Sequence, residues 1–106
     1  MDKKTAIDTV TRFRQGIEAC GIRPLKIILY GSFATGANRE ESDIDIVVVS
    51  DDFTGKSYWE RLDLLTDVIY EIFAPIEVLT LTPEEWEHGD SFAAELAHNG
   101  EVLFAA

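Results

Sequence analysis

The sequence predicts a two-layer α/β sandwich built as one domain over residues 1–106, and three observations carry that expectation. Apolar residues recur at helical spacing in two long stretches. Short runs of β-branched and aliphatic residues, bounded by glycine, proline or acids, alternate with those stretches. No repeat, low-complexity tract or linker interrupts the order, and an apolar content of 46% is enough to fill one core at this length.

In chain order, Ala6, Ile7, Val10, Phe13 and Ile17 mark an amphipathic first helix, with Gly21 placed to cap its end and Pro24 beyond it as a barrier. Residues 25–30 form a short apolar run closed by Gly31, which reads as a buried strand. Residues 31–42 are polar and lead to a second strand over 43–49, where β-branched residues follow two acids. Residues 50–56 read as a loop. Ser57 and Glu60 then make a capping box that opens a long helix with the apolar stripe Trp59, Leu62, Leu65, Ile69, Ile72 and Phe73, stopped by Pro75. Residues 76–81 are the third strand. Thr82, Pro83 and Glu85 start another helical turn, which Gly89 interrupts. Asp90 or Ser91 caps a further helix carrying Phe92, Ala93 and Leu96, ended by Asn99 and Gly100, and Val102, Leu103 and Phe104 form a last edge strand.

Composition narrows the classes of function. Cys20 is the only cysteine, which excludes an internal disulfide and a multi-cysteine metal site and fits a reducing compartment. No apolar run approaches the roughly 20 residues of a membrane span, and the N-terminal stretch lacks the apolar core of a signal segment. A soluble, cytoplasmic protein without a membrane partner is expected. The net charge of -11 repels phosphate backbones, so free long nucleic acid is a poor partner. A magnesium-chelated nucleotide stays open, because the ion inverts the local electrostatics of a carboxylate cluster.

Three elements point to that chemistry. Gly31 and Ser32 stand where a strand gives way to a helical turn, and glycine there lets a phosphate approach backbone amides and the serine hydroxyl. Alone, such a pair is most often a turn. Asp43 and Asp45 are separated by one residue at the head of a strand, so both carboxylates point to one face, with no lysine or arginine from 42 to 52 to separate them. A divalent cation would relieve that repulsion, while the plainer reading is two solvated acids at a strand end. Glu77 interrupts the apolar third strand on the face of Leu79, and a carboxylate there needs water, a cation or a metal. If the third strand pairs beside the second, Glu77 completes an acidic triad.

Together these residues make a specific pattern. GSFATGANREESDIDIVVV, a glycine-serine followed about ten residues later by D-x-D, resembles the signature of the DNA polymerase β nucleotidyltransferase superfamily, and looks most like its stand-alone minimal members. The resemblance implies the two-layer nucleotidyltransferase fold, a mixed β-sheet with helices packed on one face. It also implies transfer of a nucleoside monophosphate, AMP from ATP, to an acceptor hydroxyl with two Mg2+ ions, which Mn2+ can replace. Asp43 and Asp45 would ligate both ions, Glu77 would ligate the catalytic ion and help activate the nucleophile, and Gly31 and Ser32 would hold the terminal phosphates. Minimal members of this kind are often paired with a small helical HEPN protein, and some are antitoxins that transfer AMP to a tyrosine of that toxin. A short chain with little material left to enclose an acceptor fits such a partnership, and a homo-oligomer is also compatible. Two positions depart from the family pattern: Thr35 stands where arginine is common, and Glu77 where aspartate is common. Adenylation of a small hydroxylated molecule, or a binding module that neutralises a partner without turnover, are the alternatives.

The remaining polar and aromatic residues have plainer readings. Ser42 is a turn serine that could also orient Asp43, Arg39 is a loop arginine within reach of a phosphate, and Glu84, Glu85 and Glu87 suit a helix N-terminus. His88 and His98 lack partners at metal-ligand spacing, and Trp59 and Trp86 read as core or interface anchors.

Overall fold

A computed structural model describes residues 1–106, with the elements in the order α1 (Lys3–Ala19), β1 (Lys26–Tyr30), α2 (Ser32–Thr35), β2 (Ile44–Val49), a single 3-10 turn (Asp51–Phe53), α3 (Tyr58–Ile72), β3 (Ile76–Leu81), α4 (Pro83–His88), α5 (Phe92–His98) and β4 (Glu101–Ala105). Local chemistry fixes the helix starts. Asp2 accepts from the Thr5 amide at the head of α1, the Ser57–Glu60 and Thr82–Glu85 capping boxes close reciprocally, and Ser91 accepts from the Ala94 amide.

The four strands form one mixed sheet in the order β3-β2-β1-β4. The two central pairings differ in direction: β1 and β2 run antiparallel, and β2 and β3 run parallel through the α3 crossover. β4 returns antiparallel to β1 as the other edge, with a register shift between Ile27 and Ile28. This is the expected fold class, an α/β layer structure with a mixed sheet.

One face of the sheet carries the main core. Val10, Phe13 and Ile17 of α1 and Leu65, Val68 and Ile72 of α3 pack there on Ile27, Leu29, Ile44, Ile46, Val48 and Val78. The two long helices therefore share one face, but the helices are not confined to it as expected. The short α4 and α5 pack on the other face, where Ala94 and Ala97 meet Ile28, Val47, Val49 and Leu81. Two further details differ from the sequence reading. The loop after β2 contains the 3-10 turn, whose Phe53 is fully buried. The apolar stripe of α3 runs through Leu65, Val68 and Ile72, whereas Trp59 and Phe73 face solvent, because the helix turns its buried face toward α1 and leaves its two ends outside that contact.

Candidate active site

The site residues meet at one end of the sheet, where β1 ends and β2 and β3 begin. Tyr30 pairs with Asp45, and Asp45 with Glu77, so three side chains stand abreast on one face of three adjacent strands. It is the face of the smaller core, against which Tyr30 and Leu79 pack. Asp43 lies just outside β2 and is exposed.

Gly31 brings the phosphate-loop candidate against these acids. It takes φ 74° as it leaves β1 and serves as the N-cap of α2. A Cβ at this position would collide with the Oδ2 of Asp45, so the backbone at Gly31 and the Asp45 carboxyl are in direct contact. Ser32 follows as the first residue of α2, half-buried beside that contact. The Gly31 carbonyl accepts from the amides of Ala34 and Thr35 at 3.1 and 3.2 Å, which fixes the turn.

The electrostatics are those of crowded carboxylates. Burial, followed by the charge of Glu77, a hydrogen bond with Glu77 and the charge of Asp43, pushes the Asp45 carboxyl up to about 6. Burial, and then the charges of Asp45 and Glu77, push the Tyr30 phenol up to about 12. The four ion pairs of the chain, Lys3–Glu101, Arg14–Glu18, Arg61–Glu85 and His88–Glu84, include none of Asp43, Asp45 or Glu77. The donor set of hard oxygens without a protein cation suits a divalent ion such as magnesium. No three His, Cys, Asp or Glu side chains converge closely enough to form a metal-holding group on their own. The acids occupy open surface, and the hollows of the molecule lie elsewhere, one between Glu84, Glu85, His88, Asp90 and Ser91 and another at Ile69, Tyr70, Phe73 and Ala74.

Other candidates find plain roles. The Arg39 amide donates to Ser42 Oγ at 2.7 Å and the Ser42 amide to the Arg39 carbonyl at 3.1 Å, so Ser42 closes the turn before β2 and no bond joins it to Asp43. Thr35 is exposed at the end of α2, its hydroxyl donating to the Ser32 carbonyl at 3.4 Å. His98 stacks on Trp86 with ring centroids 4.0 Å apart, and its Nε2 lies 2.8 Å from the Trp86 carbonyl, tying α5 to α4. Tyr30 is the site residue that the sequence reading did not single out. Period-two alternation from Ile28, beside Gly31, is the signal that would have placed it on this face.

The family described as Polymerase beta, Nucleotidyltransferase matches residues 21–106. The chain belongs to this nucleotidyltransferase family. The match covers every element from β1 to β4, and with it Gly31, Ser32, Asp43, Asp45 and Glu77. A protein from Sulfolobus solfataricus assigned as a nucleotidyltransferase has a similar structure, with a TM-score of 0.69 at 16% identity over 81% of this chain and 75% of that one. A toxin-antitoxin structure with AMP-PNP is also similar, with a TM-score of 0.60 at 16% identity over 94% of this chain and 73% of that one. At such identity the two likenesses speak for the nucleotidyltransferase fold alone. No curated protein matches the chain. No helix of the nucleotidyltransferase is long and apolar enough to cross a membrane.

Proposed function

We propose that this nucleotidyltransferase, acting as a single domain over residues 1–106, transfers AMP from a magnesium-bound ATP to an acceptor hydroxyl on a partner protein of the HEPN type, in an antitoxin role. The observation that carries the reading is the junction of Gly31, Asp45 and Glu77: a glycine turn pressed against one carboxyl and a second carboxyl in register beside it. The nucleotide in the similar toxin-antitoxin structure supports it.

Asp43, Asp45 and Glu77 are the residues that would hold Mg2+, or Mn2+ in its place. When bound, the ions would neutralise phosphate charge and polarise the reacting oxygens. The turn at Gly31 and Ser32 would take the terminal phosphates, with the Ser32 hydroxyl and the amides that open α2 as donors to their oxygens. Seated there, the triphosphate presents its α-phosphorus to the carboxylate face. The acceptor oxygen forms a bond to that phosphorus, the bond to the bridging oxygen breaks, and pyrophosphate leaves with the electron pair. The acceptor proton passes toward the Asp45–Glu77 pair, with Glu77, the more exposed of the two, nearer the incoming hydroxyl.

The reading is tested by label transfer from α-labelled ATP to the partner. Glu77→Gln keeps size and hydrogen bonding while deleting the charge. It is expected to fold and bind ATP normally, with transfer reduced by about a hundredfold or more. Equal transfer by the wild type and Glu77→Gln at saturating magnesium would remove Glu77 from the reaction and leave an exposed strand-end glutamate. The exposed Thr35, a neutral residue with its hydroxyl turned to the Ser32 carbonyl, favours a second reading, a domain that covers its partner with little turnover. Binding of the partner without any label transfer would select it.

A further inference from the structure

Of the exposed aromatic residues, Phe92 lies alone on α5 at 75%, while three of the others are Phe73, 96% exposed, Tyr70, 76%, and Trp59, 72%. All three lie on α3 or at its end. Tyr70 and Phe73, with Ile69 and Ala74, line an open hollow of about 350 Å³ whose walls are mainly apolar. Phe73 is also the only non-glycine residue of the chain at positive φ, 52°. That backbone region favours glycine, and a bulky aromatic there costs free energy. The conformation ends α3 as its left-handed C-cap ahead of Pro75, a role that glycine or asparagine usually fills, so the aromatic ring is not what the cap requires. The ring is in water, and the end of α3 is already met by the Arg12 guanidinium, which donates to the Ile72 carbonyl at 3.3 Å. A strained residue that returns no packing to its own fold points to a use outside it.

The surroundings of the hollow select the occupant. Asp63, Asp67 and Glu71 are exposed on the same helix. The only cation of α3, Arg61, is held by Glu85 at 2.7 Å, and Arg12 of α1, bonded to the Ile72 carbonyl, is the one cation beside the hollow, against three exposed acids. A second copy would bring the same acids against themselves, in a chain whose net charge is already -11. A surface with an apolar centre and a basic rim complements this one. The position matters as well: Phe73 and Ala74 lead through Pro75 into β3, whose second residue is Glu77, so the hollow and the carboxylates belong to one stretch of chain.

We infer that the C-terminal end of α3, centred on Tyr70 and Phe73 and rimmed by Asp67 and Glu71, is the docking surface for a protein partner with an apolar contact patch surrounded by basic residues, and that this partner carries the acceptor hydroxyl. Only the last clause rests on the proposed transfer reaction.

A photoreactive benzophenone amino acid at position 70 of the full chain, irradiated in the source cells, is expected to trap one protein of basic pI, which is then identified and purified. Calorimetry with that purified protein should give binding to the wild type that weakens as salt is raised. Phe73→Gly removes the ring and relieves the backbone, so its unfolding midpoint should equal or exceed that of the wild type while its affinity falls at least tenfold. Asp67→Lys with Glu71→Lys should weaken binding further and flatten the salt dependence. No trapped protein, a trapped second copy, an acidic partner, or unchanged affinity in Phe73→Gly would each overturn the docking site. Glu77→Gln separates the two ideas, because it should bind the partner as the wild type does. A partner that docks through Phe73 but never receives label would sink the transfer reading and leave the surface standing. Label passing to a partner that Phe73→Gly still binds fully would do the reverse.

Discussion

Gly31 and Asp45 can be tested as a pair, because a side chain at one meets the carboxyl of the other. Gly31→Ala combines an unfavourable φ with that collision and should cost about 2–4 kcal/mol in urea unfolding. Adding Asp45→Ala should restore the part due to the collision and leave the part due to φ, so the two losses will not add. Strict additivity would mean that the two residues do not touch. Asp45 itself is a source of instability at neutral pH. Its native pKa of about 6, against an ordinary 3.8, means that the folded chain holds a proton which the unfolded chain has released between those values. Stability therefore falls as pH rises through that window and stays lower above it. Because the carboxyl is partly exposed, about 1–2 kcal/mol is a fair measure of the effect. Asp45→Asn should unfold at higher urea than the wild type at pH 7 and show little gain near pH 4. A variant less stable than the wild type at pH 7 would contradict the crowding of these carboxyls.

Helix packing makes a prediction that runs against intrinsic propensity. Gly16 lies within α1, where alanine favours the helix by about 1 kcal/mol. Yet a Cβ at Gly16 would stand 2.6 Å from Cγ1 of Val68 on α3, so the two helices are as close here as a glycine permits. Gly16→Ala should therefore lower stability by about 1–3 kcal/mol despite the better helix former. In a Val68→Ala background the same change should be neutral or stabilising. Stabilisation by Gly16→Ala alone, read from the thermal midpoint, would show that α1 and α3 separate easily. The contact matters for the site because α3 is the crossover that delivers β3, and with it Glu77, beside β2 in parallel.

Across the whole molecule, the charge of -11 and the bare carboxylates at the site make metal and nucleotide mutually dependent. The triphosphate alone meets like charge, and the ion alone meets carboxylates that do not converge. Magnesium or manganese with a non-hydrolysable ATP analogue should raise the thermal midpoint only when both are present. A concentration a hundred times the dissociation constant corresponds to about 2.7 kcal/mol. Asp43→Asn with Asp45→Asn, each protein compared with its own unliganded midpoint, should abolish the shift. An undiminished shift in the double variant would move the nucleotide away from these acids.

What was legible in the sequence was whatever a few neighbouring residues decide among themselves. Capping boxes at Ser57–Glu60 and Thr82–Glu85 and the stop at Gly89 all involve partners close along the chain. The order of elements followed from these, and with it the fold class. Four things needed the folded chain. The parallel pairing of β2 with β3 sets Glu77 beside Asp45, the exit of β1 presses Gly31 onto the same carboxyl, and Tyr30 joins them from a third strand. The aromatic ends of α3 are the fourth: Trp59 and Phe73 fit the apolar period but extend beyond the contact with α1, so they lie in water. Periodicity fixes which way a side chain points relative to its own helix or strand. Only the packing of elements distant in sequence decides what, if anything, stands opposite it.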